Sequence, residues 1–131
     1  PFRPISEKEY DNVLVLAETS PYDYLVEKYE QIEEFYDLDL PIRVNDFLAV
    51  GKALEFRQNW DDLEKLGDLA RDVYPNSTIG FYFQGRAYEA YGRPRKAMKT
   101  YQSAYGREET AYLTIDFMLE KAEQIKNDFG Y

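Results

Sequence analysis

The sequence predicts an all-α fold assembled from antiparallel helix pairs, with about seven helices, and three observations carry that prediction. Gly51 and Gly85 lie 34 residues apart, each inside a stretch of otherwise continuous helical periodicity. A glycine inside a helix costs about 1 kcal/mol relative to alanine, so two at one offset point to a shared structural cause. The same offset pairs Pro41 with Pro75, Phe47 with Phe81, Ala53 with Ala87, Glu55 with Glu89, Lys65 with Lys99 and Ala70 with Ala104. Thirty-four residues is the length of one helix–turn–helix repeat unit. No segment carries the alternation or the turn chemistry of a strand or hairpin.

The elements follow in order. Ser6-Glu7-Lys8-Glu9 fits a capping box and opens a helix with Tyr10, Val13, Leu14 and Ala17 on one face. Ser20-Pro21-Tyr22-Asp23 opens the next: serine caps, proline suits the first helical position, and aspartate favours the helix dipole. Its apolar face is Leu25, Tyr29, Ile32 and Tyr36. A third helix is expected from about Val44 to Arg57, with Phe47, Val50, Gly51 and Leu54 inward. Asn59, with Asp62 three residues on, reads as the N-cap of a fourth, which carries Trp60, Leu63, Leu66, Ala70 and Val73 and stops before Pro75. Ser77 restarts the pattern with Phe81, Gln84, Gly85 and Tyr88 on one side. Gly92 is placed as a left-handed C-terminal residue and Pro94 as the first residue of a helix with Ala97, Tyr101 and Ala104, closed by Gly106. A last helix is expected from Glu108 to about Asn127, showing Leu113, Ile115, Met118, Leu119, Ala122 and Ile125.

Composition narrows the function classes. The length of 131 residues suits one domain with a real core, and the 13 tyrosines and 8 phenylalanines suit helix–helix seams. A net charge of −9 disfavours nucleic acid and anionic membranes, both of which call for clustered Lys and Arg. There is no histidine and no cysteine, which removes the common zinc sites, thiolate nucleophiles and histidine acid–base chemistry. No metal or cofactor is expected, and the apolar runs are too short for a transmembrane helix. Because it begins at Pro1 rather than Met, the chain is expected to be a processed or excised piece.

From Phe81 onward the order Phe81, Gly85, Tyr88, Gly92, Ala97, Tyr101, Ala104 resembles the tetratricopeptide repeat. Small residues at Gly85, Ala97 and Ala104 let two helices approach, and Tyr88 and Tyr101 fill the wedge between neighbouring pairs. The unit before it keeps Phe47, Gly51, Ala70 and Pro75 but has Leu54, Leu63 and Gly67 where the stronger unit has tyrosine, alanine and an aromatic. The resemblance implies a right-handed superhelix in one domain: an N-terminal helical pair over 1–40, a degenerate unit over 41–75, a full unit over 76–107 and a capping helix over 108–131. Two repeats need covered ends, which the flanking helices would supply.

A second resemblance spans about residues 22–125. Pro41, Asn45, Tyr74, Pro75, Asn76, Ser77, Ala97 and Tyr101 resemble the C-terminal helical extension of bacterial esterases of the α/β-hydrolase superfamily, or of β-lactamase-like serine hydrolases. Where that pattern has Asp-Ser-Leu-Gly, this chain has Tyr82-Phe83-Gln84-Gly85. Neither parent's catalytic motif is present. The resemblance implies a noncatalytic domain serving protein–protein or interdomain contact, its partner a protein, a peptide or a preceding catalytic domain. The alternative is a lid over a neighbouring active site. A bacterial periplasmic or secreted setting would follow from the same resemblance.

Repeats of this kind bind on the face formed by the first helix of each pair. That face projects Asn45, Leu48, Lys52, Glu55 and Phe56 from one unit, and Ile79, Tyr82, Arg86, Glu89 and Ala90 from the next. Lys52, Tyr82, Arg86 and Glu89 are expected to be its most exposed members. Lys52 and Arg86 could hold a carboxylate or an acidic peptide, or each could pair with the glutamate three residues on. The adjacent acids Glu33-Glu34, Asp61-Asp62 and Glu108-Glu109 point about 100° apart on a helix and are read as solvated surface. Arg93, Arg95, Lys96 and Lys99 form a basic cluster that could dock an acidic face, or simply a solvated turn. Tyr22, Tyr24, Tyr29 and Tyr36 are assigned to helix packing, or to a patch facing another domain.

Overall fold

The computed structural model describes residues 20–37 and 39–131. The helix expected from Ser6 lies outside them. The described residues form six helices and no strand: α1 (Pro21–Tyr36), α2 (Val44–Phe56), α3 (Trp60–Val73), α4 (Ile79–Ala90), α5 (Pro94–Gln102) and α6 (Ile115–Phe129). They fall into two compact units, one running to Asp62 and the other from Leu63, so the boundary lies inside α3.

In the first unit α1 packs on α2. Ser20 caps α1 by accepting from the Tyr22 amide at 3.2 Å, and Leu25, Tyr29 and Ile32 are buried. The expected face stops there, because the Tyr36 ring is exposed next to the left-handed Asp37 that ends the helix. A polar tie fixes α1 against the first turn of α2: the Tyr29 hydroxyl donates to the buried Asp46 carboxylate at 2.5 Å and accepts from the Arg43 amide at 3.0 Å. A second tie gathers on Asp62, whose Oδ2 accepts from the Ser20 hydroxyl and, at 3.1 Å, from the Asn59 side-chain amide.

In the second unit the crossing of α3 and α4 is set by two glycines. A Cβ on Gly67 would lie 2.9 Å from the Gly80 carbonyl oxygen, and one on Gly80 would lie 2.6 Å from the Gly67 oxygen. Backbone thus approaches backbone, and only glycine leaves room. Beside this crossing Arg71 donates to Gln84 Oε1 at 2.8 Å and lays its guanidinium 4.4 Å from the Phe81 ring centroid. On the other side α5 packs on α4, with Tyr101 over Gly85 and with Ala97 and Ala104 buried. Gly92 takes the left-handed conformation expected of it, at φ 71°. The helix expected to close at Gly106 ends sooner, at Gln102, and Gly106 turns the chain after it at φ 80°.

The last helix begins at Ile115 rather than near Glu108. Glu108 is engaged elsewhere: its amide donates to the Asn76 carbonyl at 2.6 Å and its carbonyl accepts from the Thr78 amide at 3.0 Å. The buried Thr78 hydroxyl adds a bond to the Leu113 carbonyl at 2.6 Å. With its backbone spent on the segment around Ser77, the chain cannot start a helix until Thr114, whose side chain caps Phe117 at 3.2 Å. Helix α6 then packs on α5 through Met118, Ala122 and Ile125.

Candidate interaction surface

In the second unit the predicted binding face is largely covered. Ile79 is fully buried and Tyr82 is only 7% exposed, so neither presents a side chain to a partner. The rings of Phe83, Tyr112 and Phe117 stand 5.7, 5.7 and 5.8 Å from that of Tyr82. The cause is position. The first half of α4 is enclosed by α3, by α5 and by the segment leading into α6, so residues 79–85 are buried all round.

Arg86 and Glu89 are half-buried and already engaged. Glu89 takes the Arg86 guanidinium at 3.6 Å along its own helix, as the i,i+3 spacing anticipates. Its Oε1 also meets the Lys121 ammonium of α6 at 2.9 Å, and its Oε2 accepts from the Tyr101 hydroxyl. Glu89 is therefore a junction of α4, α5 and α6 rather than an open ligand. Burial first, and the Glu89 carboxylate second, push the Tyr101 phenol well above its usual range. The Tyr29 phenol of the first unit is raised likewise, by burial and then by Asp46. Burial also raises Tyr88, with Glu64 reinforcing it.

In the first unit Asn45 and Lys52 are exposed while Leu48 and Glu55 are half-buried. These four keep the one-sided presentation that the repeat register predicts. Phe56, at the end of the same helix, leaves its ring 84% exposed.

The fold is similar to that of an uncharacterised protein from Capnocytophaga ochracea DSM 7271, known from a crystal structure, at a TM-score of 0.86 and 29% identity. That similarity takes in 95% of this chain and 35% of the other, so this chain spans about a third of that protein's length. No protein-family model and no curated protein matches the chain.

The acidic pairs resolve into local tasks. Asp62 collects the Ser20 and Asn59 bonds, and Glu109 Oε1 accepts from the Ile115 amide at 3.1 Å, capping the start of α6. Among the described residues no three carboxylates gather where a metal ion could sit. The basic cluster behaves differently. Arg93, Arg95, Lys96 and Lys99 are all exposed and, with Pro94 and Tyr131, line a groove of about 380 Å³. Tyr131 had no signal in the sequence: it lies 32 residues beyond Lys99 and meets the groove only because α6 runs back along α5.

Proposed function

We propose that this chain is a noncatalytic helical-repeat domain of the tetratricopeptide type that mediates protein–protein or interdomain contact, working as the C-terminal extension of a larger hydrolase. The observation that carries the reading is the interlock of α4 and α5. Gly85 accepts the Tyr101 ring, with Ala97 and Ala104 buried beside it, so the repeat's small and large positions do the packing work that their residue types suggest. Similarity to a third of a longer protein supports an appendage, and the lack of histidine and cysteine supports a noncatalytic role. Asn45, Leu48, Lys52 and Glu55 of α2 form the contact face in this reading.

The test is calorimetric titration of this chain against the remainder of the protein that carries it, together with deletion of the chain from the whole. Saturable heat, reduced by Lys52→Glu, is expected. No heat, with parent activity unchanged on deletion, would remove the interdomain role.

A further inference from the structure

The eighteen residues from Ala90 to Arg107 hold five cations and no carboxylate, in a chain of 25 acids and 16 bases. The Gly92 turn and the start of α5 bring four of those cations together around the groove described above. None of the four makes an ion pair among the described residues. Two are oriented without being neutralised. The Arg95 guanidinium lies 4.5 Å from the Tyr131 ring centroid, and the Lys96 ammonium lies 4.6 Å from that of Tyr88. Tyr131 is steadied in turn by stacking on Phe129 at 5.9 Å. Such ring contacts aim a cation but leave its full charge available to an anion.

The groove therefore has two chemistries. Its rim is cationic, and its walls are the Pro94 ring, the Tyr131 ring and the aliphatic stems of the long basic side chains. Arginine at the rim can take a carboxylate in two parallel hydrogen bonds. A volume of about 380 Å³ lies within the range that encloses a small ligand or a few side chains of a peptide. We infer that this groove binds an acidic peptide segment of a protein partner, carboxylates on the rim and an apolar side chain between them. A long polyanion fits less well. Outside residues 90–107 the chain carries 25 acids against 11 bases, so a nucleic acid running past the groove meets repulsion. A short segment stays within roughly a Debye length, about 8–10 Å, of the cluster. The inference goes beyond the interaction face proposed on α2 and stands on different residues.

The probe is a fluorescein-labelled peptide, Glu-Glu-Glu-Trp-Glu-Glu-Glu, titrated with the intact chain and followed by fluorescence anisotropy. Saturable binding is expected, weakened about tenfold or more in the Arg95→Ala, Lys99→Ala double variant. Arg57→Ala, which removes a positive charge at an exposed site on the other unit, should leave it unchanged. A single-stranded oligonucleotide of matched charge should bind more weakly than the peptide. Circular dichroism of each variant checks that the helices persist, as exposed positions should allow. No saturable binding, an equal loss in Arg57→Ala, or tighter binding of the oligonucleotide would each overturn the inference. Peptide binding without heat against the remainder of the protein, and with parent activity unchanged on deletion, would defeat the interdomain reading alone, and the converse would defeat this inference alone.

Discussion

The Tyr101 ring occupies the space in which any side chain on Gly85 would have to sit: a Cβ there would fall 2.6 Å from both Cδ1 and Cζ. Tyr101 is fully buried, and its hydroxyl reaches Glu89, one turn beyond Gly85 on α4. One contact thus explains a helix-breaking residue, a buried phenol and a partly buried carboxylate together.

Gly85→Ala gives the sharpest sign test. Helix propensity alone would make alanine more stable by about 1 kcal/mol. Displacing a packed ring instead costs about 1–3 kcal/mol. A fall in the thermal midpoint is expected, whereas a rise would show that the ring moves aside freely. Gly92→Ala meets no atom within 4 Å and should lose stability only through its positive φ, by roughly 1 kcal/mol.

Gly80→Ala should cost more than Gly92→Ala for a different reason. The obstacle on that side is the Gly67 carbonyl, which cannot rotate away as a side chain does. The two helices must separate, and the overpacking cost is about 1–3 kcal/mol or above. Denaturant unfolding of both variants ranks them directly.

The Glu89 junction separates a hydrogen bond from an ion pair. Glu89→Ala strands the buried Tyr101 hydroxyl, at a cost of about 1–3 kcal/mol. Lys121→Met removes only a partly exposed pair at 2.9 Å and should cost no more than about 1 kcal/mol. Equal losses in chemical denaturation would mean that the ion pair, not the phenol, holds the junction.

Alkaline pH should unfold the chain through its buried phenols. Tyr29 and Tyr101 are both held above the ordinary tyrosine range of about 10. Above that pH the unfolded chain binds fewer protons than the folded one, so stability falls as pH rises toward the folded values. This contribution is fully present below the unfolded pKa. Tyr101→Phe should flatten the alkaline decline in stability while lowering stability modestly at neutral pH by loss of one hydrogen bond, about 1 kcal/mol. A decline as steep as in the parent chain would assign it to other groups.

Helices were readable where their cause is local. Ser20 caps, Pro21 and Pro94 occupy first helical positions, and Gly92 and Gly106 take positive φ. The periodic apolar faces of α2 through α5 bury the residues they mark, except Trp60 and Val73 at the two ends of α3, which are half-buried. The start of α6 was not readable, because Glu108 is diverted by residues 30 or more positions earlier in the chain. The exposure of the face projected for binding was half readable for the same reason. Register alone puts Ile79 and Tyr82 on the same side as Asn45 and Lys52, yet their exposure depends on what lies over them.

The sequence by itself determined the all-α class, the order of helix pairs and the close approach at Gly85, because spacing, caps and side-chain size act over one or two helical turns; it puts Tyr101 between neighbouring pairs, whereas the ring lies on Gly85 within its own pair. Only the tertiary structure decided which repeat positions stay open. It buried Ile79, closed Tyr82 beneath α6 and its lead-in, turned Glu89 into a junction, and brought Tyr131 to Arg95 across 36 residues of chain. Exposure is a property of neighbours, and neighbours distant in sequence leave no mark in a local pattern.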